Sequence, residues 1–321
     1  MGQVIVRRPG TMRAQKQVFA TAPQGLIELL TAHLPTSLTI LRRLQFAARS
    51  KPSPTGRVLF VADQNLTFDK AAPSFPSKFT VMYSDFSVST ETQMFLYSTL
   101  EDKPPMTYTA EDRAVYEEQF LAIVDELIRL RNEFDPEGTC PTAMLLGSVH
   151  ADVCSILEKT GRVFPRPTGL YDKWLFRVED LPRAESPLPQ GMHWGHASYS
   201  DCEIVVSRTD IPRTAATLSK LQSSLIKLDD GTPIAWAFLG VDGSLQSVHC
   251  EAGHRRMGLA KRVAGRLLRE NAEELAPDGW SCADVSADNV ASRAMCKSLN
   301  GNIKPRWVVS WVLLELAETM C

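Results

Sequence analysis

The residues whose types and order can do chemistry are concentrated between Ser247 and Leu268, SVHCEAGHRRMGLAKRVAGRLL. This stretch reads as a short strand, a tight turn and a basic helix. Within it, Arg255-Arg256-Met257-Gly258-Leu259-Ala260 has the form R-x-x-G-x-A. The glycine lets the backbone approach an anion, and the residues after it open a helix whose unpaired N–H groups and positive end face that anion. Such a turn can hold a pyrophosphate. On the helix, Leu259, Val263 and Leu267 form a buried stripe, and Lys261, Arg262, Arg266 and Arg269 face outward.

Groups able to move a proton lie at the upstream end of the same strand. Asp242 can act directly or through water, although Asp242-Gly243 also reads as an ordinary hairpin turn. His249 titrates near neutrality, with a reference pKa of about 6.5, but strict strand alternation turns it to the face opposite Ser244 and Gln246. Ser244 cannot serve as a base alone. His254, just before the turn, fits packing or phosphate contact better than catalysis, and Glu251 completes the set.

These residues need elements to hold them. Pro233–Leu239 reads as a strand, entered by a hairpin turn at Asp229-Asp230-Gly231, and a turn at Asp242-Gly243 leads into a strand over Leu245–Cys250. Before them, Asp210 with Pro212 predicts a helix to about Gln222, then a strand over Ser224–Lys227. After the basic helix, the pattern predicts a strand over Ser281–Ser286, a helix over Asn289–Leu299 and a strand over Trp307–Leu314. The first half is mixed as well: a helix over Gln24–His33, strands over Leu38–Leu44, Val58–Ala62 and Phe79–Tyr83, and a long helix capped by Thr109 and Asp112. Pro165, Pro167, Pro182, Pro187 and Pro189 surround a strand candidate at Trp174–Val178, which puts a domain boundary near residue 165. The division is 1–165 and 166–321. No internal repeat is visible.

A chain of 321 residues, 44% hydrophobic and 22% charged, can bury two cores. With 35 basic and 37 acidic residues it lacks the excess charge of a general nucleic-acid binder. Seven cysteines without C-x-x-C spacing read as reduced thiols inside a cell. No apolar run is long enough to span a bilayer, so no membrane partner is expected. The first 27 residues hold Arg7, Arg8, Arg13 and Lys16 and no acid, the charge pattern of a mitochondrial presequence but with little serine. A mitochondrial or cytoplasmic location is expected.

The order helix, hairpin, strand, phosphate turn, basic helix, strand, helix, strand resembles the GNAT acyltransferase fold. Gly231-Thr232-Pro233-Ile234-Ala235-Trp236, Ser286-Ala287-Asp288-Asn289 with Ser292, Pro305-Arg306-Trp307 with Trp311, and Trp194-Gly195 with Ser200 and Ile204 are similar to its glycine N-acyltransferase branch. So are Leu26–Leu30 and His33–Leu38 in the first half. The resemblance implies an α/β protein of two tandem GNAT-like domains, the N-terminal one degenerate, each a mixed, mostly antiparallel sheet flanked by helices. It implies acyl transfer from acyl-CoA or acetyl-CoA to the amine of glycine or another small acceptor, with no metal. The backbone of Val248 and Cys250 would pair with pantetheine. Arg255, Arg256, Met257, Gly258, Leu259, Ala260 and Lys261 would hold the pyrophosphate, with Arg262 a further candidate. Asn289 and Ser292 would meet the CoA arm, and both also fit a helix cap.

Two positions depart from the branch. Its glutamate base falls on Ser244, and the tyrosine many GNAT enzymes use as acid falls on Cys296, which as a helical cysteine also fits core packing. These departures keep open a CoA-binding module without catalysis. An arylalkylamine or polyamine acetyltransferase, using Asp201 and Glu203, is the other alternative. Oligomeric state is not legible.

Overall fold

The computed structural model describes residues 14–317 apart from 65, 67, 69–75, 88–90, 105–106, 139–141, 167–168, 183–186, 210 and 275–276. Arg7, Arg8, Arg13, Pro167 and Asp210 lie outside the described residues. The first half comprises β1 (Gln15–Phe19), α1 (Gln24–Ala32), α2 (Leu38–Arg49), β2 (Gly56–Ala62), β3 (Phe79–Asp85), β4 (Met94–Ser98), α3 (Ala110–Phe134), β5 (Ala143–His150), α4 (Ala151–Leu157), β6 (Val163–Pro165) and β7 (Tyr171–Arg177). The second comprises β8 (Met192–Gly195), α5 (Tyr199–Val206), α6 (Ala215–Leu218), β9 (Ser223–Leu228), β10 (Pro233–Leu239), β11 (Leu245–Cys250), α7 (Leu259–Glu274), β12 (Trp280–Ser286), α8 (Val290–Ser298) and β13 (Asn302–Glu315). Strand, two helices, three strands, helix, strand, helix, strand thus occurs twice, with β6 added in the first half.

In each half four strands pair antiparallel, and the fourth then meets a fifth in parallel: β4 beside β5 at Met94 and Leu146, β11 beside β12 at Ser244 and Cys282. The sheet runs on through the seam in the order β5, β13, β7, β12. The chain's last strand therefore pairs with β5 of the first half on one side and β7 on the other. The expected boundary at 165 falls between β6, which pairs with β13, and β7, which pairs with β12.

Two sequence expectations are corrected here. Leu38–Leu44 is not a strand but the start of α2, where Leu38, Leu41 and Leu44 recur every third residue and face the core. A short apolar run cannot distinguish the two periods by itself. The helix expected up to Gln222 is only one turn, α6: Thr214 caps its start by accepting the Thr217 N–H at 3.1 Å, and at its end Ser219 Oγ donates back to Ala216 O at 3.0 Å, a local bond that competes with helix propagation. The longer helix lies upstream, where Ser198 and Asp201 form a reciprocal cap for α5.

The seam between the halves is polar and buried. Lys173 of β7, 2% exposed, places Nζ 2.7 Å from Asp284 Oδ1 on β12, and donates to Ser148 Oγ on β5 at 2.7 Å and Thr39 Oγ1 on α2 at 3.2 Å. Burial opposes the ammonium charge, and Asp284 more than restores it, holding Lys173 above its ordinary range. The β10–β11 hairpin tip docks on the first half: Val241 packs against the α1–α2 core, and Gly243 (φ +72°) lies against Arg42, where a Cβ would come within 2.6 Å of Cγ. No described helix is long and apolar enough to cross a membrane.

Candidate active site

The parallel bridge between Ser244 and Cys282 joins β11 and β12 at one end, and beyond it, among the described residues, β11 pairs only with β10. The β11 edge is therefore open. The N–H of Glu251 donates to Ile234 O on β10 at 2.8 Å, so alternation turns the backbone groups of Cys250 and Val248 toward the open side. Ser247 has φ +51° and forms a bulge where the β10 register shifts between Trp236 and Phe238.

The bulge corrects the expected orientation of His249. One extra residue reverses the alternation after it, so His249, opposite Trp236, shares a face with Gln246, opposite Phe238. Trp236 and Phe238 both belong to the core under α5 and α6. Asp242, Ser244, Gln246 and His249 are thus brought to one side of the strand. Val248 and Cys250 pack on the other side, toward α7.

At the downstream end, Arg256 (φ +66°) and Gly258 (φ +73°) bend the backbone through the left-handed region twice before α7 begins. Consecutive N–H groups in such a bend converge as an anion nest. The first turn of α7 holds no acid, and residues 255–258 are exposed. The equivalent helix of the first half is closed. Thr109 and Asp112 cap α3 reciprocally, Glu111 adds a second acid, and Lys78 and Lys103 pair with Asp112 at 3.0 and 2.5 Å. An anion there would meet two carboxylates and occupied N–H groups.

A family model described as the acyl-CoA N-acyltransferase verG N-terminal domain matches residues 14–174. The chain belongs to this acyl-CoA N-acyltransferase family. No curated protein matches the sequence. Among solved structures, a Drosophila protein is similar over 95% of this chain and 99% of its own, with TM-score 0.61 and 17% identity. A tandem GNAT protein from the clavulanic acid biosynthesis pathway covers 95% of this chain and 99% of its own, with TM-score 0.51 and 10% identity. At these identities the likeness is one of fold. The protein is an acyltransferase with the fold of a tandem GNAT protein.

In this acyltransferase the remaining site residues fall as follows. Asp242 is 6% exposed, and its Oδ1 accepts both the Ser244 N–H (3.2 Å) and Oγ–H (2.7 Å), as in a hairpin-turn aspartate. His249 stacks on Trp236, with 4.5 Å between centroids and 17° between planes. Its Nε2 is buried without a hydrogen-bond partner, 3.7 Å from Glu251 Oε2. Burial lowers the His249 pKa below its ordinary value, and Glu251 only partly offsets this. Glu251 is itself held low, against its own burial, by Arg208 at 3.0 Å and by His249. Cys296 is fully buried in the α7 core and its thiol is pushed up to about 12. Asn289 caps α8 by accepting the Ser292 N–H at 3.0 Å. Arg255 turns back to donate to Cys250 O at 3.0 Å. Asp201 is spent on the Ser198 cap and on Lys227 at 2.6 Å.

Sequence reasoning missed Arg213, which donates to Gln246 Oε1 beside the bulge. Pro212 before Arg213 is the sole local cue.

Proposed function

We propose that this chain transfers an acyl group from a CoA thioester to the amine of glycine or another small amino acid, by direct attack in a ternary complex, as in the glycine N-acyltransferase branch. The observation that carries this reading is the continuity of one open strand edge, Val248 to Cys250, with the nest at Arg256–Gly258 and the acid-free start of α7. The residues fit a CoA chain: a strand edge for pantetheine, then backbone amides of Arg256, Met257, Gly258 and Ala260 for pyrophosphate, with Lys261 beside them. Residues 166–321 are the CoA-binding unit and 1–165 the degenerate one, sharing β13.

His249 is the proton acceptor in this reading. It stands on the acceptor side of β11 just past the bulge, and its lowered pKa keeps the ring neutral at pH 7. Asp242 is engaged by Ser244 and holds the turn. The ammonium gives a proton to His249, and the resulting amine attacks the carbonyl carbon. An N–H on the open edge of β11 stabilises the oxygen as charge develops. As the C–N bond forms the C–S bond breaks, the nitrogen releases its second proton to solvent, and the departing thiolate takes a proton from solvent. A thiolate with a pKa near that of an ordinary thiol, about 8.5, leaves without a dedicated acid, which fits the burial of Cys296.

The test is incubation of purified protein with acetyl-, butyryl- and benzoyl-CoA and a panel of amines, with free thiol as readout. Thiol release that depends on both protein and a particular amino acid is expected. Tight CoA binding with no turnover across the panel would overturn the reading.

A further inference from the structure

We propose that Glu251 is a positioning residue for His249: its carboxylate, bridged to Arg208, holds the neutral imidazole with the proton on Nε2 and leaves Nδ1 as the atom that takes the acceptor's proton. The proposal rests on the acyltransferase reading above and adds the group that sets which ring nitrogen works.

The three side chains follow one another at the downstream end of β11. His249 and Glu251 are two residues apart on extended chain and so share a face. The Glu251 N–H donates to Ile234 O on β10 at 2.8 Å, which fixes the backbone that carries the carboxylate. Its Oε2 lies 3.7 Å from His249 Nε2, and its Oε1 accepts from Arg208 Nε at 3.0 Å. Arg208 is held in turn just past α5, where its N–H donates to Val205 O at 3.1 Å and its Nη1 to Ser207 Oγ at 3.1 Å. Each carboxylate oxygen thus faces a different partner.

The ring has little freedom of its own. It is stacked on Trp236, and Nε2 is buried without a hydrogen-bond partner while the side chain as a whole is 24% exposed. The reachable nitrogen is therefore Nδ1. A carboxylate only accepts, so a neutral ring with a lone pair on Nε2 would set two acceptors against each other, whereas Nε2–H points a donor at Glu251. At 3.7 Å the contact is longer than a hydrogen bond, and it tightens when the ring becomes charged. In the proton transfer the amine's proton goes to Nδ1, the Nε2 proton stays on the ring, and Glu251 remains ionised beside the imidazolium. The ring later returns the added proton to solvent. Arg208 and Arg255 disfavour that charge, and Glu251 opposes them. Arg213 stands at Gln246 on the same face, and Asp242 is bound by Ser244 at the far end of the strand.

The test is nitrogen NMR of the full-length protein carrying isotope-labelled histidine, with the His249 signals identified by their absence in His249→Gln. Above its titration midpoint the wild-type ring is expected to show the Nε2–H tautomer. In Glu251→Gln, Arg208 claims the amide oxygen and the amide N–H faces the ring, so the Nδ1–H tautomer should predominate. Loss of the negative charge should also lower the His249 midpoint by about half a pH unit or more, and kcat should fall about tenfold or more. CoA affinity and Tm should stay close to wild type, because a half-exposed ion pair such as Arg208–Glu251 contributes little to stability. The Nδ1–H tautomer in the wild type overturns the proposal, as does an unchanged tautomer and midpoint in Glu251→Gln, or a reversed tautomer with undiminished kcat. A tautomer reversed by Glu251→Gln in a protein that releases thiol with no amine leaves the positioning contact standing and removes the acyltransfer reading. Thiol release by the wild type, with a tautomer that Glu251→Gln does not move, does the reverse.

Discussion

The imidazole of His249 lies flat on the indole of Trp236, 4.5 Å between centroids, because a single residue, Ser247, adopts φ +51° and reverses the alternation of β11. Without that bulge the ring would point toward α7 and its hydrophobic core. With it, the ring stands beside Gln246 on the side where an acceptor would approach. His249→Gln is therefore expected to lower kcat about a hundredfold with CoA affinity unchanged. The sign of the pH effect follows from the lowered pKa. The neutral ring, which accepts the proton, predominates above the folded value, and that value lies below 6.5. Turnover should be level through neutrality and fall as pH drops through the lowered value, and this acid limb should vanish in the variant. An unchanged pH–rate curve for His249→Gln would acquit the ring.

The turn before α7 gives a binding prediction independent of turnover. Gly258 has φ +73° beside a helix start that holds no acid. Gly258→Asp adds both backbone strain and a negative charge where the pyrophosphate is expected, and CoA affinity should fall by about a hundredfold or more. Gly258→Ala, which adds strain alone, should lose less. Calorimetric titration with CoA separates the two variants, and equal, undiminished affinity in both would remove the phosphate turn.

How far these parts were legible depends on what each part's physics writes into local sequence. Residues 233–239 and 245–250 were readable as strands because Gly231 and Asp242-Gly243 mark the turns that bound them, and the basic helix was readable because its buried stripe repeats at helical period. The bulge was not readable. Serine carries no preference for positive φ, so the position of Ser247 is imposed by pairing across β10, and the expected face of His249 was wrong for that reason. Leu38–Leu44 failed differently, because an apolar run that short satisfies either period until its packing partners are known. Arg213 reaches Gln246 across 33 residues of chain, a contact that no local pattern encodes.

Asp242 separates a proton carrier from a structural aspartate. Its Oδ1 already accepts two hydrogen bonds from Ser244, and the turn it closes presses Gly243 onto Arg42 of α2. Asp242→Asn should weaken these bonds and lower stability by about 1–2 kcal/mol, seen as a fall in Tm, while the midpoint of the pH–rate curve stays in place. A shifted midpoint would make Asp242 the proton acceptor in place of His249. Gly243→Ala should also lower Tm, since a Cβ there meets the Arg42 stem at 2.6 Å.

The Lys173–Asp284 pair predicts how tightly the halves are joined. Lys173→Met leaves the Asp284 carboxylate buried with only Ser148 Oγ, at 2.9 Å, to satisfy it, and removes the contact to Thr39 on α2. Breaking one partner of a buried pair costs about 3–5 kcal/mol, whereas replacing both by apolar groups is often close to neutral. The double variant Lys173→Met/Asp284→Leu should therefore recover much of the stability that the single variant loses. The comparison is informative because Lys173 touches α2, β5 and β12 at once. If the seam only needs to be filled, the double variant restores both Tm and turnover. If the charge is needed to align β5 with β12, and through β12 the bridge from Cys282 to Ser244 at the root of β11, Tm recovers and turnover does not. Chemical denaturation read alongside thiol release distinguishes the two, and a single variant as stable as the wild type would show that the pair does not hold the halves together.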